Sequence, residues 1–397
     1  MKVLIIASEF PFPANHGAKV DIWNRILAFK KLNVEVFLVT WHPEKSTPSK
    51  ENVDCVLRQV ASLATFPLSS TLNRIIKLIS FPSQVAARML KKADYKSLLT
   101  KATQFNPDAI FIDSIYGGET GLRLAKDLAV PFSLRLHNVE HNYMWGQLKL
   151  AKGIRSKMSL LAMNIHLKSF EYNLISKADA FFDISIEDLA FWEKQNFKNG
   201  YWLPPIIDDT MGNLVTDVNK LTKFYHIAFI GNLYAPNNVS GLLWFINDVL
   251  PLINEKIPGL RFAVVGSNPV TEIIKACNNS EFIDLFTNVP DTNEYIQKSN
   301  VLINPVRFSS GVNIKAINML SLDNPVVSTI YGVKGLPKEI SQVFFIGNSP
   351  KEFSNHILEI LALKKTSDLE KRKEMRKLFQ VTALEKLLPK MLEKNIK

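Results

Sequence analysis

Residues 300–320 read NVLINPVRFSSGVNIKAINML. An apolar run that breaks at Pro305 reads as a strand end, FSSGVN as a loop, and a helix is expected to start near Asn313. Glycine in such a loop lets an anion approach the backbone, and the first N–H groups of the helix carry partial positive charge. Lys315 adds a full charge at one end of the loop and Arg307 another at the opposite end. Residue types in this order fit a diphosphate. The GxxxxGKS/T spacing of a Walker A loop is absent. The plainer reading of the same residues is an ordinary strand-to-helix turn.

Other loops carry compatible chemistry. IGNLYAPNN (230–238) offers Gly231 for close approach and Asn232, Asn237 and Asn238 as neutral hydrogen-bonding groups, although Asn-rich loops are often simply turns. FTNVPD places Asn288 and Val289 where backbone groups and an apolar side chain could meet a base. RLHNVEH (135–141) puts Arg135, His137, Glu140 and His141 at the end of a strand. The HxxxH spacing suggests zinc, but a third ligand is lacking and residue 138 is Asn, not the glutamate of HExxH, so no metal is expected. A buried, hydrogen-bonded structural histidine is the alternative for either imidazole.

The elements that must position these residues follow from short apolar runs such as KVLIIA (2–7), VEVFLVT (34–40), AIFID (109–113), HIAFIG (226–231) and RFAVVG (261–266). They lack polar alternation, as parallel strands covered on both faces do. Amphipathic stretches lie between them, including VDIWNRILAFKKL (20–32) and NNVSGLLWFINDVLPLINEKI (237–257). The alternation predicts an α/β chain of two doubly wound, Rossmann-like domains. The rhythm restarts near residue 225 after a proline-containing, weakly periodic hinge. The expected domains are therefore 1–205 and 206–375, facing each other across a cleft. FQVTALEKLLPKMLEKNIK (379–397) reads as a C-terminal helix, within a terminal segment 376–397 that crosses back to the first domain.

Composition bounds the partners. The chain has 397 residues, 47% of them apolar, which suits two cores and not one. The initial apolar run is short before Glu9 and reads as a buried strand and not a signal peptide, and no run reaches the roughly 20 apolar residues of a spanning helix. Cys55 and Cys277 fall in different expected domains, which argues against a structural disulfide and suits a reducing, cytoplasmic compartment. The net charge of +11 is concentrated in residues 74–101 and 149–168, where basic and apolar side chains mix. That mixture suits an anionic membrane surface, with a solvated helix face as the alternative. Nucleic acid is not expected, because no aromatic stacking pattern accompanies the charge.

The two stretches FIGNLYAPNNVSGLLWFINDVLPLINEKIPGLRFAVVGSNP and NVPDTNEYIQKSNVLINPVRFSSGVNIKAINMLSLDNPVVSTIYGVKGL resemble the donor domain of retaining glycosyltransferase family 4, which has the GT-B fold. SEFPFPANHGAKVDIWNRILAFKK and LRLHNVEHNYM extend the likeness loosely to the first half. The resemblance implies a nucleotide-sugar donor such as a UDP- or GDP-sugar, a glycan or lipid-linked acceptor, and no cofactor or metal. It implies that Gly231 and Asn232 approach the donor diphosphate, where an arginine is common in place of the asparagine. Asn288 and Val289 would meet the base. Ser309, Ser310, Gly311 and Val312 would hold phosphate and sugar through backbone amides, and Lys315 matches the family's lysine. His16, Gly17 and His137 would lie on the sugar side.

Two family glutamates eight positions apart are replaced by Ser310 and Asn318. Exchanging a carboxylate for an amide on the ribose hydroxyls costs about 1 to 2 kcal/mol, a loosening of the donor and not its loss. The implied reaction is retaining, through a front-face route in which Lys315 and Arg307 stabilise the leaving diphosphate. The alternatives are a non-catalytic glycosyltransferase-like subunit, for which Asn318 speaks, and another GT-B enzyme such as an epimerase, whose acid and base carboxylates have no clear place.

Overall fold

The computed structural model describes residues 1–151, 153–207, 223–289, 291–308 and 311–394. The chain divides into two compact units: Met1–Ile207 with Phe379–Lys397, and Asp208–Leu378.

The first unit is built on a parallel sheet of β1 (Lys2–Ala7), β2 (Glu35–His42), β3 (Ser62–Pro67), β4 (Ala109–Asp113), β5 (Phe132–Leu136), β6 (Ala180–Asp183) and β7 (Gly200–Trp202), in the order β3-β2-β1-β4-β5-β6-β7. The chain winds outward from β1 to one edge and then returns to β4 on its other side. That reversal leaves the carboxyl ends of β1 and β4 at a topological switch point, where ligands bind in open α/β sheets. The strands are buried on both faces: Leu4, Ile6, Ile110 and Ile112 belong to one core, and Val3, Ile5, Phe111 and Phe182 to the other.

The terminal segment joins the second of these cores. Leu384 and Met391 are buried in the cluster that holds Val3, Ile5 and Ile26. The single helix expected over 379–397 is instead two short ones, Val381–Glu385 and Leu388–Leu392. Pro389 explains the break, since it has no N–H for the Glu385 carbonyl and its ring crowds the preceding turn.

The second unit carries β8 (Tyr225–Ile230), β9 (Phe262–Gly266), β10 (Ile283–Thr287), β11 (Ser299–Asn304), β12 (Val326–Ser328) and β13 (Phe345–Ile346), all parallel in the order β10-β9-β8-β11-β12-β13. Its switch point lies between β8 and β11. The helix expected over 237–257 begins at Pro236 and runs to Trp244, widens into a π-turn at Phe245–Val249, and resumes over Leu250–Asn254. Pro251 supplies no N–H to the helix ladder at this point, and the wider turn accommodates the gap.

Candidate functional site

In the second unit the loops after β8, β9, β10 and β11 lie side by side because small residues let their backbones meet. A Cβ on Gly266, the last residue of β9, would sit 1.9 Å from the Gly231 carbonyl oxygen, and one on Gly241 would sit 2.3 Å from the Pro305 carbonyl oxygen. Only glycine allows the end of β9 to lie against the β8 loop, and the helix Pro236–Trp244 against the end of β11. Asn288 adopts a left-handed backbone (φ 54°) after β10, donates its N–H to the Gly266 carbonyl at 2.9 Å, and accepts the Asn268 N–H on its side chain at 3.1 Å.

Lys315 is the charged centre of this arrangement. Its amine donates to Asn238 Oδ1 at 3.1 Å and lies 4.4 Å from the centroid of the Phe229 ring. Asn238 in turn donates to the Asn232 carbonyl at 2.9 Å, so one amide ties the lysine to the β8 loop. Burial pushes the Lys315 pKa down to about 7. Among the described residues no carboxylate offsets that cost, since the partners are an amide and a ring face.

The other expected donor residues fall unevenly around this lysine. Gly311 is left-handed (φ 67°) and, with Val312, partly buried ahead of the helix Ile314–Leu320. Asn313 caps that helix by accepting the Lys315 N–H at 3.1 Å, so one of its leading amides is already satisfied. The Asn232 side chain is spent on its own turn, accepting the N–H groups of Tyr234 at 2.7 Å and Ala235 at 3.2 Å. Arg307 is exposed, with its guanidinium 4.8 Å from the centroid of the Trp244 ring. Trp244 is six residues along the helix from Asn238, so Arg307 rests on a different turn of that helix from the amide that anchors Lys315. Val289 is partly buried and Asn318 is exposed. Ser309 and Ser310 lie outside the described residues.

In the first unit the switch point is filled by a buried ion network. The helix Gly17–Lys31 leaves the loop after β1 and turns Asp21 and Arg25, one turn apart, onto the sheet. Arg25 pairs with both Asp21 and Asp113, the last residue of β4. Arg135 on β5 binds Asp21 through both terminal nitrogens, and it donates from Nη1 to His137 Nε2 at 3.0 Å. The His137 Nε2 is also 3.4 Å from Asp21 and 3.5 Å from Asp113. Burial alone would raise the Asp21 carboxyl, but Arg135, Arg25 and His137 outweigh it and hold it well below the usual carboxylate range. Two carboxylates and two guanidiniums thus close on each other, and His137, with a side chain 27% exposed, is the member that reaches solvent. His137 Nε2 thus faces a donor, Arg135, and two acceptors, Asp21 and Asp113, so it can either accept from the guanidinium or donate to a carboxylate.

Arg135 is fully buried beneath His137 and reaches a ligand only through it. His141 is separated from His137 by its partners. Its Nδ1 pairs with Glu171 at 2.5 Å, and its ring packs among Tyr172, Phe191 and Trp192. Glu171 also accepts the N–H groups of Glu140 at 2.8 Å and His141 at 3.2 Å, which caps the helix Glu140–Leu150. His141 is therefore held as a structural histidine in this geometry. Glu140 accepts from the Tyr116 hydroxyl at 2.6 Å, and burial raises its carboxyl pKa. At the helix start His16 lies 3.3 Å from Glu9, both partly exposed, and Gly17 follows as the first helical residue.

The sequence reading missed Asp21, Arg25, Asp113 and Glu171. The available signal was an Asp and an Arg four apart among Ile22, Ile26 and Phe29 on the apolar face of a helix. Among the described residues no group of three or more His, Cys, Asp and Glu side chains is arranged to hold a metal ion.

Comparison with known proteins bears on both units. Residues 225–363 match the family model described as glycosyl transferases group 1. The chain is 26% identical over 380 residues to an uncharacterized 44.6 kDa protein in the cps region of Klebsiella pneumoniae, with 90% of each chain covered. Among solved structures it is similar to Anabaena Alr3699/HepE in complex with UDP, at 11% identity and a TM-score of 0.65 over 99% of both chains. It is also similar to sucrose-phosphate synthase from Thermosynechococcus elongatus, at 14% identity and a TM-score of 0.65 over 98% of both chains. The chain thus has the GT-B fold of two Rossmann-like domains, and its residues 225–363 match the glycosyl transferases group 1 model.

Proposed function

We propose that the protein transfers a hexose-type sugar from a nucleotide-sugar to a glycan or lipid-linked acceptor, with retention and without a metal ion, in surface polysaccharide biosynthesis. The observation that carries the reading is the placement of Lys315: a partly buried amine, anchored by an amide and without a counter-charge among the described residues, between the loops after β8 and β11. Such an amine is stabilised by an anion, and the left-handed Gly311 lies in the loop just ahead of its helix. UDP is the nucleotide present in the Anabaena structure, and the cps region of the Klebsiella relative supports the polysaccharide context.

In this reading the bond from the anomeric carbon to the diphosphate oxygen breaks while the acceptor oxygen bonds to the same face of that carbon. The acceptor's proton passes to the departing diphosphate oxygen. Lys315 stabilises the charge that develops there, with Arg307 as a second cation if its side chain leaves the Trp244 ring. Asn288 and Val289 meet the base, Ser309, Ser310, Gly311 and Val312 the phosphates and sugar, and Asn318 the ribose. His16, Gly17 and His137 serve the sugar, with Arg135 acting through His137, and Glu140 and His141 shape the acceptor side. The reaction takes place in the cytoplasm, at the inner face of the membrane.

Calorimetric titration with a panel of UDP-, GDP- and dTDP-sugars tests the proposal. Binding of one donor, lost on Lys315→Ala, is expected. No binding to any donor would exclude the enzyme and favour the non-catalytic glycosyltransferase-like subunit.

A further inference from the structure

The helices Thr71–Lys77 and Ile154–Asn164 of the first unit are unusual in having no buried residue, although both are rich in large apolar side chains. Leu72, Ile76 and Ile79 project from the first segment, Ile79 with 82% of its surface exposed; Ile154, Met158 and Leu161 project from the second, Ile154 with 78% exposed. A helix in a globular protein ordinarily buries its apolar stripe against the core, whereas the first of these leaves its large apolar side chains exposed and the second packs only Leu160 and Met163, partly buried, against the core.

The two segments flank one groove. Ser80 and Phe81, directly after Ile79, face His166, Ser169 and Phe170, which follow Ile165. The Phe81 and Phe170 rings meet edge to face at 6.3 Å. The cavity between them has a volume of about 830 Å³ and is lined by the cations Arg123, Lys126 and Lys177 and by one acid, Glu119. No Asp or Glu occurs between Asp54 and Asp94, or between Glu140 and Glu171, while Arg74, Lys77, Arg155 and Lys157 sit among the apolar residues.

We infer that this face docks on an anionic lipid bilayer, with Ile79 and Ile154 entering the headgroup boundary and lipid phosphates taken by the surrounding cations and the groove. The occupant follows from charge and shape. A protein partner or second copy of this chain would bring an undefined surface or a +11 molecule against a predominantly basic face, whereas an anionic bilayer complements both its apolar and its basic components. This inference rests on the proposed membrane-side location and is independent of the transfer chemistry.

The test is flotation of the full-length protein with vesicles of phosphatidylcholine alone or mixed with phosphatidylglycerol, at low and high salt. Uridine diphosphate titration of the same samples checks the fold and the donor site. Binding only to the anionic vesicles, weakening as salt rises, is expected. The variant Ile79→Asp with Ile154→Asp should partition at least about tenfold less, because each isoleucine contributes apolar burial. Arg155→Glu with Lys157→Glu should weaken binding to the anionic vesicles, and neither variant should alter uridine diphosphate affinity. Absent flotation, flotation that the aspartate variant leaves unchanged, or a dimer in light scattering that the same variant dissociates would each overturn the inference. Flotation without uridine diphosphate binding would uphold it while contradicting a uridine-nucleotide donor.

Discussion

The Lys315 amine lies 3.1 Å from Asn238 Oδ1, so a cation from the helix after β11 is anchored on the helix that follows β8. These two strands adjoin at the switch point of the second sheet. The sheet winding, the close approach at Gly241 and the lysine's short tether therefore converge on one place.

Removing this amine should disable the reaction and leave the fold. Lys315→Ala is expected to lower turnover at least about a hundredfold, the usual cost of losing a group that stabilises charge on a leaving oxygen. Steady-state assays with circular dichroism as the folding control read it. Lys315→Met should lose donor affinity and raise thermal stability below pH 7, because it removes a buried charge with no counter-ion.

The same amine predicts a pH dependence. The folded value of about 7 lies below the usual lysine value, so charging Lys315 opposes folding below pH 7. That penalty fades as pH rises from about 7 towards about 10.4, and stability should rise over this interval by the amount that Lys315→Met abolishes. Donor affinity runs the other way: the charged amine prevails below pH 7, and affinity for a nucleotide-sugar should fall above it by up to about tenfold per pH unit. Calorimetry from pH 6 to 9 measures the slope, which Lys315→Arg should flatten.

The ion network of the first unit should be costly to open from below and cheap to alter at its rim. Asp21→Asn leaves Arg25 and Arg135 short of a partner in a buried setting and should destabilise the unit by about 3 to 5 kcal/mol in urea unfolding. His137→Ala, at the partly exposed end, should change turnover far more than stability. Nitrogen-15 spectra should show the His137 tautomers shifting towards Nε2–H on Arg135→Met, because the donor that faces Nε2 is removed and the Asp113 carboxylate remains.

Restoring the missing acid gives a test in the gain direction. Asn318 is exposed on its helix, so Asn318→Glu introduces no buried charge. If it meets ribose hydroxyls, donor affinity should rise about tenfold, equivalent to about 1 to 2 kcal/mol. An unchanged affinity would show that the residue does not face the ribose.

Most of the sheet architecture could be read from apolar runs, because strands covered on both faces leave uninterrupted patterns such as KVLIIA and AIFID. The two strands that escaped, β3 and β7, are the edges of the first sheet. SLATFP has few β-branched residues and ends in proline, and β7 has only three residues ahead of Pro204, so neither looks like a covered strand. The loop lysine was legible from its local spacing, since its helix and its glycine are neighbours in the chain. Its bond to Asn238, 77 positions away, depends on which strands adjoin. The Asp21, Arg25, Asp113 and Arg135 network joins three elements, and a charge on an apolar helix face does not name its partner. His141 shows the converse, since its place beside His137 in the sequence suggested a shared role that Glu171 and the surrounding rings take away.

The most direct measurement is release of nucleoside diphosphate from a panel of nucleotide-sugars by the wild type and by Lys315→Ala, with the anomeric configuration of the transferred sugar read by proton NMR. One preferred donor, retention at the anomeric carbon, and a rate at least about a hundredfold lower in the variant are expected. Equal rates in the two proteins, or inversion of the transferred sugar, would contradict the proposed function.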